Sequence, residues 1–258
     1  MREILGRRRG LRFRRSGRHA QLDAALTCAT GWQWPVVPGV GHTASAGRER
    51  SCGCPDPECV VPGAHPFDPG LLTATTDERM VRWWWTSRPD APVIMATGGR
   101  APCALSLPAV AGARALVALD RMDMRIGPVV ATPTRWSLLV APYSLERLGE
   151  LLHAKDWVPS SLRFHGEGGY LVLPPSETGK GPVWWERAPS PAARPLPGAG
   201  GSAGARGTAG ARGTAGARGT AGARGTAAAP WLPDVEAVVD ALVEASTGAP
   251  GGGSKLAY

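Results

Sequence analysis

The chain lacks any long unbroken apolar run. A membrane-spanning helix needs about 18 to 20 consecutive apolar residues, and no segment of the 258 residues provides them. The region after the basic N-terminal residues is interrupted by Asp23 and has no apolar stretch of the kind found in secretory signals. We therefore expect a cytoplasmic protein with no membrane partner, whose thiols stay reduced and suit metal ligation better than disulfides.

The middle of the chain also lacks the excess of basic over acidic side chains that the whole chain has. The formal net charge is +8, yet residues 21–193 hold fifteen basic and sixteen acidic side chains. Residues 1–20 hold eight arginines against one glutamate. Such an arm binds polyphosphate without sequence choice. A solvated leader has the same composition, so both interpretations of the arm stay open.

Large apolar residues are missing from a repeat near the C-terminus. Four copies of Ala-Gly-Ala-Arg-Gly-Thr run from Ala203 to Thr226. This unit cannot bury a core, which excludes a β-solenoid and predicts a flexible linker. Beyond the repeat, apolar residues recur at helical spacing and predict an amphipathic helix. We expect that helix to dock back on the domain or to contact a protein partner.

Short strands interleaved with helices predict an α/β (α+β) domain with a mixed sheet. Thr75 and Glu78 have the spacing of a capping box that begins a helix. Strands at 162–165 and 170–173 flank a glycine-rich turn, and 183–186 is a candidate to pair beside them. The predicted segments are a basic disordered arm (1–19), the domain (20–189), the linker (190–230), the amphipathic helix (231–247) and a flexible tail (248–258).

Three of the five cysteines lie close together and a histidine follows them. Cys52, Cys54, Cys59 and His65 form the pattern C-x-C-x4-C-x5-H in a stretch rich in proline and glycine. Thiolate and imidazole are the ligands that Zn²⁺ prefers, and four of them complete a tetrahedral structural site. The spacing departs from the common C-x2-C, so a metal-free cysteine loop or a different fourth ligand stays open on spacing alone.

Several motifs follow one another in a recognisable order. They are Gly31-Trp-x-Trp-Pro-Val, the cysteine run ending at His65-Pro66, a tryptophan-containing helix, Ala96-Thr-Gly-Gly and Gly166-Glu-Gly-Gly. Over about residues 20–188 the chain resembles the N-terminal domain of bacterial bifunctional DNA primase/polymerases, a branch of the archaeo-eukaryotic primase superfamily. The resemblance implies a primase/polymerase-like fold with a zinc-knuckle-like loop inserted near the N-terminus. It also implies that the four cysteine and histidine side chains hold a structural Zn²⁺.

The resemblance further implies a nucleotidyl-transfer site, but this sequence departs from it. Such transfer uses two Mg²⁺ ions bridged by carboxylates. The family's Asp-x-Asp positions correspond here to Ser106 and Pro108, its phosphate-contacting histidine to Ser137, and its third acid to Arg163. We therefore expect these positions to be degenerate, with no catalytic residue among them and no bound Mg²⁺.

Other residues near these positions are candidates to contact a phosphate. Arg135 and Arg163 are positively charged, and His165 becomes so when protonated, so all three suit a phosphate. Glu167 lies in the glycine-rich turn, where the family also keeps an acid. We expect the basic groups to hold phosphate where carboxylates would otherwise hold metal.

The sequence therefore favours a catalytically inactive primase/polymerase-like domain. Such a domain would bind nucleic acid or a nucleotide, or act as a scaffold in a process of the DNA-replication type. One alternative is an active nucleotidyltransferase that uses other acids, such as Asp120 and Asp123, although the helical pattern places both at a helix end. Another is a zinc-stabilised regulatory protein without nucleotide contact. The expected ligands are single-stranded DNA or a nucleotide, bound through the basic arm or the degenerate cleft.

Overall fold

The structure is a computed structural model that describes residues 20–43, 51–191 and 229–247. The predicted basic arm, the repeats of the linker and the predicted tail lie outside the described residues. None of the helices in these ranges is long and apolar enough to cross a membrane.

Helices are interspersed with runs of two to five strands along the described chain. Helix α1 spans residues 20–26 and continues into a π-helical turn, Thr27–Gly31. The other helices are α2 (Glu78–Ser87), α3 (Ala109–Arg121), α4 (Leu145–His153) and α5 (Val235–Thr247). The strands are β1 (Val36–Pro38), β2 (His42–Thr43), β3 (Ser51–Cys52), β4 (Val93–Ala96), β5 (Cys103–Pro108), β6 (Val129–Ala131), β7 (Arg135–Val140), β8 (Arg163–His165), β9 (Tyr170–Leu173), β10 (Glu177–Thr178), β11 (Gly181–Pro182) and β12 (Trp184–Arg187).

The longer strands form two sheets. One has the order β1-β4-β9, and the other has the order β12-β6-β7-β5-β8. The short pairs β2-β3 and β10-β11 form separate hairpins. This arrangement confirms the predicted α/β class, with helices and sheets in one described domain.

Each sheet is antiparallel, whereas the sequence predicts a mixed sheet. Helix α3 joins β5 to β6, and α4 joins β7 to β8, as in crossovers between parallel strands. However, β7 lies between β5 and β6, and β5 lies between β7 and β8. Because each crossover skips one strand, the neighbours in the described sheets pair antiparallel.

The two sheets share one hydrophobic core, and the five-stranded sheet buries its other face in a second core. Trp34, Trp85 and Ile94 are fully buried in the first core, which α1, α2 and the three-stranded sheet form together with one face of the five-stranded sheet. Leu119 and Leu242 are fully buried in the second core, between the five-stranded sheet, α3 and α5. Fully burying a side chain of this size contributes about 1.5–3 kcal/mol. The two cores hold in place the sheets at whose junction the candidate site lies.

Helix α5 docks back on the domain, one of the two outcomes expected from its amphipathic pattern. Its apolar residues Val238 and Leu242 are fully buried against α3. Glu236 pairs with Arg147 of α4, and the chain before the helix returns to the domain where Trp231 N–H donates to Ser190 O at 3.1 Å. The apolar face is therefore occupied within the chain and is not free for the predicted protein partner.

Two local predictions differ from the structure. Helix α2 is capped by Asp77, whose carboxylate accepts a hydrogen bond from Met80 N–H at 2.8 Å, and not by the predicted capping box from Thr75. An aspartate next to the first helical residue reaches this amide directly, and Thr75 Oγ1 instead accepts from Asp77 N–H.

The strands beside the glycine-rich turn do not pair with each other. Strand β8 joins the five-stranded sheet and β9 joins the three-stranded sheet, so the turn at 166–169 connects two sheets instead of closing a hairpin. Strand β12 pairs with β6 and lies beside neither of them. The turn is therefore placed at the junction of the sheets, where the candidate cleft opens.

Candidate metal centre and cationic cleft

The predicted metal ligands converge in one cluster. One ligand atom from each of Cys52, Cys54, Cys59 and His65 lies within 4.8 Å of the others. The Nε2 atom of His65 is 3.3 Å from Cys52 Sγ and 3.4 Å from Cys59 Sγ. The β2-β3 hairpin supplies the first thiol, and the loop after it supplies the other three groups. These four side chains lie close enough to hold one metal ion.

Groups around the cluster orient these ligands for a metal. His65 Nδ1 lies 3.0 Å from Pro66 O, so a proton on Nδ1 leaves Nε2 free to face the cysteines. The amide of Gly63 donates to Cys52 Sγ at 3.3 Å. Burial opposes ionisation of Cys52, but hydrogen bonds from Gly63 and Cys54 outweigh it and lower its pKa to about 7. Three thiols and one imidazole so arranged are consistent with structural zinc.

The loop that carries the ligands is fastened to the rest of the domain at several points. Val40 N–H donates to His65 O at 3.0 Å, and Gly53 N–H donates to Gly41 O at 3.2 Å. On the opposite side, Gly179 N–H donates to Pro62 O at 2.8 Å. This last contact joins the loop to the β10-β11 hairpin.

A cleft of about 400 Å³ opens at the junction of the two sheets. Its floor contains Ser106 on β5, which pairs directly with Ser137 on β7 and with Arg163 on β8. All three of these side chains line the cleft. The structure thus brings together three of the positions at which this sequence is predicted to depart from the family's motifs. Pro108, at the end of β5, is not among the residues that line it.

Arg135 crosses the floor of the cleft and is held firmly there. Its NH2 group donates to Ser106 O at 2.7 Å, to Ser161 O at 2.8 Å and to Ser106 Oγ at 3.2 Å. Burial, and then the nearby charge of Arg163, lower its pKa to about 10. The guanidinium therefore stays charged at neutral pH, within hydrogen-bonding distance of Ser106.

His165 lies beside the same serine. Its Nε2 atom is 2.9 Å from Ser106 Oγ. Burial, followed by the charges of Arg135 and Arg163, lowers the pKa of His165 to about 4. The imidazole is therefore neutral at neutral pH, and its hydrogen bond with the backbone of Tyr170 leaves Nε2 to accept from the serine hydroxyl.

The cleft is lined by cations and by no carboxylate among the described residues. Arg135, Arg163 and Lys180 contribute positive charge to its wall. Mg²⁺ is bound through carboxylates and keeps an octahedral shell of oxygens, so this set of donors does not fit the ion that nucleotidyl transfer would require. The arrangement instead suits an anion, since arginine matches the oxygens of phosphate bidentately.

Glu167 and the two alternative acids do not line the cleft. Glu167 is exposed in the glycine-rich turn, packed over Gly98. Asp120 lies at the end of α3 and accepts a hydrogen bond from Arg187 at 2.7 Å. Asp123 follows that helix with a φ of 52°. The two aspartates thus lie at a helix end, where the helical pattern puts them.

Several residues in the cleft are not found by the sequence motifs. Lys180 and Thr178 come from the β10-β11 hairpin, and Val61 and Pro62 come from the loop between two metal ligands. The pair Gly179-Lys180 does not match a phosphate-binding loop, because the required flanking residues are missing. The contact between the hairpin and the loop helps to bring these groups to the cleft.

Comparison with known proteins identifies the family. The family model described as bifunctional DNA primase/polymerase, N-terminal, matches residues 25–199. This match covers more than half of the chain, which therefore belongs to the family, and the resemblance seen in the motifs is confirmed. No curated protein and no solved structure matches the chain.

Proposed function

We propose that this primase/polymerase-like domain is catalytically inactive and binds the phosphates of single-stranded DNA or of a nucleotide in its cationic cleft. The observation that carries the proposal is the charge of the cleft. Arg135, Arg163 and Lys180 line it, and no carboxylate among the described residues does. We further propose that the ion at the cysteine-histidine cluster is zinc with a structural role.

The proposed loss of catalysis follows from the positive charge of Arg135, which is fixed on the floor of the cleft. In a two-metal mechanism, carboxylates hold the cations that align the attacking and leaving oxygens. Here the guanidinium of Arg135 contacts both oxygens of Ser106. A positive charge held at this place repels a divalent cation, and the low dielectric of a partly buried cleft strengthens the repulsion.

The binding of phosphate follows from the same groups. A cavity of about 400 Å³ lies within the range of about 300–1,000 Å³ that small-molecule sites occupy. Arg163 is exposed and free to reach an incoming phosphate, whereas Arg135 is anchored and offers a pre-oriented charge. The neutral His165 and the hydroxyl of Ser106 add hydrogen-bonding groups without adding negative charge.

A binding experiment with matched variants tests the proposal. The anisotropy of fluorescein-labelled oligothymidylate is measured with the zinc-loaded full chain over a salt series, in buffer free of other divalent cations. We expect the double variant R163Q/K180Q to weaken binding and to reduce the slope of log K against log[salt] by about 1.4, because each phosphate contact on a single strand accounts for about 0.7. The control R79Q removes an exposed arginine on α2, outside the cleft.

The outcomes separate the cleft from the basic arm. Equal weakening by R79Q and R163Q/K180Q, or none by either, would place binding outside the cleft and sink the proposal. Salt-insensitive binding would do so as well, since phosphate contacts release counterions. Competition by unlabelled dATP distinguishes a site that also accepts a free nucleotide from one that needs a strand.

The family and the expected reduced thiols support a cytoplasmic role in a process of the DNA-replication type. There the protein would act as a binding or scaffold component. We propose this role on the family membership, with ligand binding at the cleft as the property through which it would operate.

A further inference from the structure

We infer that the loop between the metal ligands forms one wall of the ligand cleft, so that metal binding at the cysteine-histidine cluster controls the affinity of the cleft. This inference rests on the proposed phosphate-binding function. It assigns the metal a role in ligand binding in addition to local stability.

The wall is short, and a candidate metal ligand lies at each of its ends. Val61, Pro62 and Ala64 line the cleft, and they lie between the ligands Cys59 and His65. A metal bound by both ligands fixes the ends of a five-residue segment, which removes most of its conformational freedom. Within the segment, Ala64 N–H donates to Val61 O at 3.0 Å, and this turn keeps the backbone compact.

The same wall positions a cation of the cleft. Gly179 donates to Pro62 O at 2.8 Å, and a Cβ atom on Gly179 would lie only 2.6 Å from Pro62 Cβ. The hairpin therefore packs directly on the loop, and Lys180 follows at the next position. Displacing Pro62 would remove the support that holds Lys180 towards the cleft.

An apolar depression connects the metal cluster with the cleft. Val61, Gly168 and Tyr170 line both the cleft and a shallow cavity beside the ligands. Phe67, which is 54% exposed, lines that cavity on its outer side. A nucleotide whose phosphates contact Arg163 and Lys180 would place its base on these apolar groups, since bases pack on aromatic and apolar surfaces.

Without the metal, the ligands lose the constraint that holds the wall. The segment between Cys59 and His65 then samples many conformations, and both the apolar contact and the position of Lys180 are lost. The two hydrophobic cores that hold the sheets do not include the segment between Cys59 and His65. We therefore expect the sheets to stay folded while the affinity falls.

The test measures the affinity of fluorescein-labelled oligothymidylate for the full chain in its zinc-loaded and zinc-free forms. We expect at least a tenfold loss of affinity on removal of zinc, with far-ultraviolet circular dichroism close to that of the loaded form. A second arm uses G179A, which pushes the hairpin away from Pro62 but touches no ligand. We expect it to bind one zinc per chain and to lose threefold to tenfold in affinity.

The matched control is G149A on α4, where a Cβ atom would meet nothing within 4 Å. It should bind the oligonucleotide like the wild type. Equal affinities of the zinc-loaded and zinc-free forms would overturn the inference and leave the proposed function standing. If the zinc-free chain unfolds, wild-type affinity in zinc-loaded G179A would overturn it instead. Absence of binding by the loaded wild type would remove the proposed function itself, and the inference with it.

Discussion

Ser106 on β5 pairs directly with Arg163 on β8, so a hydroxyl and a guanidinium face the cleft where the family's metal-binding acids are expected. The neighbouring Arg135 donates to Ser106 from the other side, which leaves the serine between two arginines. This pairing is fixed by the register of the sheet and does not depend on the orientation of a loop. The charges of Arg135 and Arg163 are therefore held at the site by the folded strands, and Lys180 is added by the turn between β10 and β11.

The first prediction concerns catalysis. The zinc-loaded chain should give no primer extension on a primed single-stranded template with Mg²⁺ or Mn²⁺, because the cleft holds no carboxylate ligand among the described residues. The products are resolved on denaturing gels, with an active primase/polymerase domain as positive control. Extension that disappears in D120N/D123N would show that these acids bind the catalytic metal, against their position at the end of α3.

The second prediction concerns the anchored arginine. R135M should lower the free energy of unfolding by about 2–4 kcal/mol, because it leaves the carbonyl oxygens of Ser106 and Ser161 without their donor. The change is measured by urea denaturation. R79M, an exposed substitution on α2, should stay within about 0.5 kcal/mol of the wild type. Equal stability of the two variants would mean that Arg135 has no structural role.

The third prediction concerns pH. The pKa of His165 is lowered to about 4 in the folded chain, against about 6.5 in an unfolded one. Between these values the unfolded state binds a proton that the folded state does not, so stability should fall as the pH is lowered from about 6.5 to 4. The full shift corresponds to about 3 kcal/mol.

The comparison with H165Q isolates this effect from the titration of other groups. The variant cannot take up the proton, so its stability should fall less over this pH range than that of the wild type. Urea denaturation at intervals of half a pH unit measures both curves. Parallel curves would show that His165 does not titrate below its usual range.

Features decided by local chemistry are predictable from the sequence. The cluster of Cys52, Cys54, Cys59 and His65 is found by residue type and spacing, and helix α4 begins where a serine cap precedes an apolar stripe. The order of the motifs is sufficient to identify the family. The place of Ser106 and Arg163 in one cleft is also implied by that order, since strands carrying equivalent motifs occupy equivalent positions.

Features that depend on contacts between distant segments are not predictable in this way. The pairing of β12 with β6 and the separation of β8 from β9 are decided by how two cores fill. Lys180 lies at the cleft on a hairpin whose Gly179 packs on Pro62, a contact that leaves no spacing pattern in the sequence. For the same reason, the sequence does not indicate that the segment between Cys59 and His65 forms a wall of the cleft.

The fourth prediction uses two adjacent glycines with different surroundings. Gly98 and Gly99 have φ values of +90° and +63°, so alanine is strained at either position. A Cβ atom on Gly98 would lie 2.5 Å from Glu167 Cα, whereas one on Gly99 would meet nothing within 4 Å. G99A should cost about 1 kcal/mol in stability, and G98A should cost more because it also displaces the glycine-rich turn. Equal losses in thermal denaturation would mean that the turn does not pack on Gly98.

The fifth prediction tests whether α5 belongs to the folded domain. Leu242 is fully buried, so L242A should lower the free energy of unfolding by about 2–5 kcal/mol through lost burial and a cavity. V117A on the exposed face of α3 should change it by less than about 0.5 kcal/mol, since Val117 is 50% exposed. A helix attached only through the linker would instead unfold on its own, and L242A would then leave the main unfolding transition in urea unchanged. A single cooperative transition that shifts in L242A and not in V117A is the expected result, because the second core is closed by α5.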